Sequence, residues 1–237
     1  MPRPKSECRV ADLNRFYDAL DRLSQRVGGL RLLSQSTGRM DWPTCGVYFF
    51  FESCESRTDS GTGPRVVRVG THALTSTSRT TLWNRLSNHR GVASSGGGNH
   101  RGSIFRLLVG KALMRRYPCH TVHGWGRGSS ADRETRQGED ALERLVSDHI
   151  GSMPLLWMRV DDRPGASSRR GYIECNCIAL LSNFERAPCD PPSREWLGLD
   201  CDRPKVRRSG LWNQQHVEDS YDPAFLDVFD ALVDDQL

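Results

Sequence analysis

Lysine is nearly missing from this chain. Only Lys5, Lys111 and Lys205 stand among 33 basic residues, and the rest are arginines. An arginine fork grips phosphate bidentately where an ammonium acts as a point charge, although a biased genome composition produces the same excess. No apolar run approaches the roughly 18–20 residues of a membrane helix, so no membrane association is expected. The N-terminus has basic residues but no apolar segment behind them, so a secretory leader is not expected and a cytoplasmic location is. The glycine-rich stretch 91–102 lacks the Gly-Lys-Ser/Thr that closes a nucleotide-binding P-loop. Internal repeats and an inter-domain linker are also missing.

What is present suits a folded domain. The chain has 237 residues, 37% hydrophobic and 26% charged, with a net charge of +4. That charge permits an anionic partner without requiring one. Of the eight cysteines, Cys175 and Cys177 are spaced Cys-x-Cys rather than the Cys-x2-Cys usual for zinc, and they fall in a helical stretch where i and i+2 diverge. With Cys189 and Cys201 they read better as buried, reduced thiols than as a zinc site. Residues 9–27 repeat apolar side chains every three or four positions, which predicts an amphipathic helix ended by Gly28-Gly29. A terminal helix carries Phe225, Leu226, Phe229 and Leu232 on one face.

The chain is organised around residues 45–91. Gly46-Val47-Tyr48-Phe49-Phe50-Phe51 and Val66-Val67-Arg68-Val69-Gly70 flank a polar connector, 53–64, and predict a hairpin. A helix follows, capped by Thr80 or Thr81, with Leu82 and Leu86 on one face. Arg85 and His89 sit four apart and project from one side of it. Gly46-Val47-Tyr48, Arg68-Val69-Gly70 and the Arg85/His89 helix resemble the core of the GIY-YIG nuclease superfamily. The resemblance covers residues 44–91 well and 138–185 loosely. It departs at Arg68, where the family has its second tyrosine.

The resemblance implies an α/β fold with a small, mainly antiparallel sheet of three strands packed with helices. It also implies a metal-dependent endonuclease acting on DNA, and DNA against RNA stays open. On this reading Arg85 stabilises charge on the phosphoryl oxygens, and Tyr48 or His89 positions and deprotonates water. Arg68 marks either a lost catalytic partner or a guanidinium that takes over phosphate or water positioning. Glu174 takes the position of the ligand for Mg²⁺ or Mn²⁺, with Glu139 and Glu143 as rival carboxylates. Asn183 takes that of the later asparagine, with Asn176 and Asn213 as rivals.

The same residues have plainer readings. Tyr48 is a core tyrosine, Arg68 an edge-strand arginine facing solvent, Arg85 and His89 part of a polar helix surface, and Glu174 a charge on a helix dipole. Residues 1–43 form an N-terminal helical extension, 44–185 the core with an inserted loop near 117–137, and 186–237 a C-terminal extension. Asn99, His100 and Arg101 after the glycines make 91–102 either a phosphate-contacting loop or a flexible connector. Arg127, Arg133 and Arg136 with Trp125 either track a nucleic-acid backbone or belong to a solvated loop. Asn213 and His216 lie where they either reach a substrate or pack and cap locally. Two other functions stay open: a nucleic-acid-binding module without cleavage, and an interaction or regulatory protein on the same scaffold.

Overall fold

A computed structural model describes residues 5–165 and 167–236. The first four residues of the N-terminal extension, residue 166 in the basic turn 165–170, and residue 237 lie outside them. The organising hairpin forms as β2 (Gly46–Ser56) and β3 (Pro64–Gly70), after a two-residue β1 (Arg31–Leu32). With β4 (Pro154–Arg159) they make one antiparallel sheet in the order β1-β4-β2-β3. The fold is α/β, and β1 adds a fourth strand to the three expected. It was illegible because two residues carry no alternation to read.

β2 is the central strand, and its aromatic run follows from burial on both faces. Val47, Phe49 and Phe51 point into one core, which they share with Leu156 and Met158 of β4. α1 (Lys5–Arg26), α5 (Arg169–Leu181) and α7 (Phe225–Asp234) cover that face. Tyr48 and Phe50 point to the other face with Leu155 and Trp157. There α2 (Leu82–Arg90), α3 (Ile104–Arg116) and α4 (Arg133–Gly151) close the second core, joined by Trp196, Trp212 and α6 (Pro204–Ser209). The two-residue alternation of a strand thus divides one sequence run between two cores.

A register shift after Phe50 lets Val66 and Arg68 pair with Phe51 and Phe50, leaving Val67 as the extra, bulged residue. Arg68 consequently faces the second core and is 5% exposed. A solvent-facing edge arginine is therefore overturned. β3 is still an edge strand, but the C-terminal extension covers it. Trp212 N–H donates to Val67 O at 2.8 Å. The Asn213 amide accepts from Val69 N–H at 3.2 Å and donates to Val69 O at 2.8 Å, in the manner of a strand partner.

The glycine-rich stretch is anchored rather than a loose connector. It wraps a buried ion pair: Arg106 of α3 donates to Glu143 of α4 through Nε at 3.0 Å and Nη2 at 2.5 Å. A Cβ on Gly98 would stand 2.1 Å from the Arg106 guanidinium, so only glycine passes there. His100 and Arg101, which end the stretch, bond to Glu143 and Glu139 of α4. The following segment is also anchored. Trp125 is turned inward, stacked on His100 at 3.9 Å and donating to Leu107 O at 3.1 Å, which removes it as a stacking platform for nucleotides. Arg127, Arg133 and Arg136 remain exposed.

Removing one partner of a buried charge pair strands the other in a low dielectric. Glu143→Ala is expected to destabilise the protein by about 3–5 kcal/mol, read as a lower urea midpoint with an unchanged slope. Arg15→Ala, which breaks exposed pairs with Asp227 and Asp230, is expected to cost less than about 1 kcal/mol.

Candidate active site

Three side chains from three elements meet behind the end of β3. Tyr48 Oη lies 2.8 Å from His89 Nε2, and His89 Nδ1 lies 2.7 Å from Ser103 Oγ. Tyr48 and His89 have no exposed surface. Thr81 caps α2 by accepting from Asn84 N–H, and the four-residue spacing then carries His89 inward from the same helix as Arg85. Ser103 caps α3 by accepting from Arg106 N–H. Gly70 makes room for the phenol, since a Cβ there would sit 2.3 Å from Tyr48 Oη.

Charge surrounds this cluster. Burial, with the Arg85, Arg68 and Arg106 guanidinium groups, holds His89 well below the usual histidine range, so it is neutral. Arg68 is beside the Tyr48 hydroxyl, Arg85 and Glu174. It donates to Trp212 O and lies 4.6 Å from the centre of the Phe105 ring. Burial depresses its basicity. An arginine donates but does not accept, so beside Arg68 the Tyr48 proton has His89 Nε2 as its acceptor. Nδ1–H then donates to Ser103. Arg85 is half-buried. The Nε–H groups of Arg68 and Arg85 are sealed from solvent and have no partner among the described residues.

Glu174 rises from the second turn of α5, whose start Ser168 caps by accepting from Gly171 N–H. Its Oε1 accepts from Thr71 N–H at 3.1 Å, one residue beyond β3. Oε2 has no hydrogen-bond partner among the described residues. Burial raises the Glu174 pKa, and Arg68, the Thr71 N–H, His216 and Arg85 oppose that rise. The half-buried carboxylate lines an open groove of about 730 Å³ with Arg169, Tyr172, Cys175 and His216. Tyr48, His89, Arg68, Arg85 and Glu174, predicted from positions scattered over 126 residues, thus stand around the end of one strand.

The other candidates are placed elsewhere. Asn183 Oδ1 accepts from Arg9 and from Cys189 N–H, on the far side of α5. Asn176 bonds Tyr172 O and Asp222 N–H. Of the three asparagines, Asn213 is the one clamped to β3, next to Arg68 and Gly70. Glu139 and Glu143 are saturated by Arg101 and by Arg106 with His100, and point into the second core. None of the eight cysteines forms a disulfide. Cys189 lies with Asp59 and Asp190 in a cluster whose donor atoms are within 4.8 Å of one another. Asp190 there already accepts from the N–H groups of Thr58, Asp59 and Ser60, and burial pushes the Cys189 thiol up to about 11. The cluster pins the β2–β3 connector to the C-terminal extension. Thr71 and Ser103 were not found in the sequence, since neither carries a motif and each acts through geometry alone.

A family model described as the GIY-YIG domain matches residues 7–237. The chain belongs to the GIY-YIG domain family. That family implies nuclease-type function and a nucleic-acid substrate, and GIY-YIG nucleases generally use divalent metals. In this GIY-YIG protein the match includes both terminal extensions. No curated protein and no solved structure matches the chain. Among the described residues no helix is long and apolar enough to cross a membrane.

His89, and His72, whose burial pushes it down to about 4, set a pH dependence for this GIY-YIG domain. Unfolded histidines take up protons near pH 6.5, whereas these do so only at lower pH in the folded chain. Unfolding therefore becomes easier as pH falls from about 6.5 towards 4. The urea midpoint is expected to drop across that window, and His89→Gln to flatten the slope. A midpoint constant from pH 7.5 to 5 would remove the assignment of these histidines as buried and neutral.

Proposed function

We propose that this protein is a divalent-metal-dependent endonuclease that hydrolyses phosphodiester bonds of DNA in the groove beside Glu174. The carrying observation is a half-satisfied carboxylate, Glu174, on the wall of an open groove, with the charges of Arg68 and Arg85 acting on it. A carboxylate with one free oxygen on an open wall suits a hard divalent cation. Guanidinium charge beside such a carboxylate suits phosphoryl oxygens. Glu174 would hold Mg²⁺ or Mn²⁺, which when bound polarises the phosphate and steadies the leaving oxygen.

The chain's own residues supply the rest. Arg85, whose charge acts on Glu174, stabilises the charge that grows on the phosphoryl oxygens as water attacks phosphorus and the ester P–O bond breaks, one water proton leaving to bulk solvent and the departing oxygen taking one up from it. Arg68 adds a second positive charge from behind, where the family has a phenol. Tyr48 and His89 are sealed from solvent, so their part is to orient Arg68 and to fix the wall against which the phosphate rests. Ser103 and Asn213 hold that wall from α3 and from the β3 edge. Asn183, tied to Arg9, supports α5 at its far end.

One observation favours a second reading. With Arg68 in place of the tyrosine and Tyr48 buried, neither strand of the hairpin presents a phenol to the groove, which fits a nucleic-acid-binding module without cleavage. Plasmid and linear duplex, and a matched RNA, incubated with Mg²⁺ or Mn²⁺ separate the two. Cleavage that needs the metal, that Arg85→Ala and Glu174→Gln each reduce by 100-fold or more (about 2.7 kcal/mol or more), and that Glu185→Gln leaves unchanged is the expected outcome. Salt-sensitive binding without cleavage of any substrate would establish the binding module instead. Absence of both would leave an interaction or regulatory scaffold.

A further inference from the structure

Glu174 shares its groove with an imidazole. His216 lines the same wall, and its Nδ1 lies 2.7 Å from Asp219 Oδ2. A carboxylate accepts only from a protonated ring nitrogen, so Nδ1 carries the proton of the neutral ring and Nε2 keeps its lone pair. Nε2 has no hydrogen-bond partner among the described residues. A carboxylate behind one ring nitrogen is the arrangement that orients a metal-binding histidine and raises the basicity of the other nitrogen.

The backbone holds His216 in place. Its φ of +63° lies in the left-handed region that non-glycine residues seldom occupy. On one side Asn213 is clamped to Val69. On the other, Val217 O accepts from Ser182 Oγ at 2.6 Å. The imidazole is thereby fixed on the wall of the groove that Glu174 also lines. We propose that His216, through Nε2, is a second protein ligand to the divalent cation held by Glu174. The proposal rests on the reading of Glu174 as the cation's carboxylate ligand.

An oxygen-plus-imidazole donor set has a consequence for ion choice. Mg²⁺ takes oxygen ligands and keeps its waters, whereas imidazole suits first-row transition ions. The site therefore prefers Mn²⁺ to Mg²⁺. If the His216–Asp219 pair is only a surface ion pair, it has no influence on either ion.

The test uses the full chain without a histidine tag and Mn²⁺ alone as the probe. Free Mn²⁺ is followed by electron paramagnetic resonance during titration, and ligand nitrogen is detected by electron spin-echo modulation. One saturable Mn²⁺ with imidazole nitrogen coupling is expected. His216→Ala should abolish the coupling and weaken Mn²⁺ binding by 10-fold or more, while changing competition by Mg²⁺ less than about three-fold. Asp219→Asn should weaken Mn²⁺ by about 10-fold. An unchanged urea midpoint for His216→Ala shows that folding is intact. Saturable binding that Glu174→Gln abolishes, but that shows no nitrogen coupling and ignores His216→Ala, overturns the His216 assignment and leaves Glu174 standing. Binding that survives Glu174→Gln, or no saturable binding, overturns both.

Discussion

The second core and the rear wall of the site depend on one buried ion pair, Arg106 with Glu143. The pair does more than join α3 to α4. Arg106 Nη1 donates to His89 O at 2.9 Å at the end of α2, and Nη2 donates to Ser147 Oγ at 3.0 Å. Glu143 accepts from both the N–H and Nδ1 of His100. A guanidinium with no exposed surface is tolerable only when its donors are matched, and matching them fixes three helices and the glycine-rich stretch at once. His89 inherits its position from this network, and through His89 so does Tyr48. Replacing such a pair with packed apolar residues often leaves stability intact. Its contribution here is geometric: it sets where the backbone of α2 ends.

From that wall outward, polarity changes in an ordered way. Ser103, His89 and Tyr48 are neutral, hydrogen-bonded and dry. Arg68 is next, charged and buried, balanced by Trp212 O, the face of Phe105 and the nearby Glu174. Arg85 and Glu174 come last, both half-buried, with Glu174 on the wall of the groove. Buried charges cost least when their counter-charges stand at the solvent boundary, where water offsets part of the desolvation. The arrangement places two cations behind one carboxylate, so the region around Glu174 is electropositive without a bound anion. Such a field favours a phosphodiester and lowers the cost of ionising Glu174, against the effect of its burial.

Much of this was legible in the sequence, and the limits are physical. The hairpin, α2 and the inward pair Arg85/His89 follow from strand alternation and the four-residue helical period, which need no tertiary information. Glu174 was reached through the resemblance, and its contact with Thr71 N–H depends on how α5 docks, which no local pattern encodes. Arg68 illustrates the opposite failure. Period-two reasoning alone leaves its face ambiguous, because the bulge at Val67 shifts the register and edge coverage by residues 212–213 comes from 144 residues away. The glycine-rich stretch misled for a similar reason. Glycine serves mobile loops and tight backbone approach equally, and only the position of Arg106 shows which applies at Gly98. Asn183 was reached through the resemblance, as the later asparagine, whereas Asn213 reaches β3 through space.

The Arg68 departure is best understood together with Tyr48. In a site with two phenols, each can donate to or accept from the other, and proton positions stay adjustable. An arginine beside one phenol ends that freedom, because it offers donors only. The Tyr48 proton is then directed to His89, whose neutrality is enforced by burial and by the same arginines. A proton arriving on His89 would create an imidazolium among three guanidinium groups, which the electrostatics oppose. Tyr48 and His89 are thereby suited to hold a fixed pattern of dipoles rather than to shuttle a proton. On the proposed reading, chemistry in the groove relies on charge placed in advance by Arg68, Arg85 and Glu174. On that reading the replacement of one side chain transfers the demand from acid–base exchange to electrostatic preorganisation, which the surrounding packing supports.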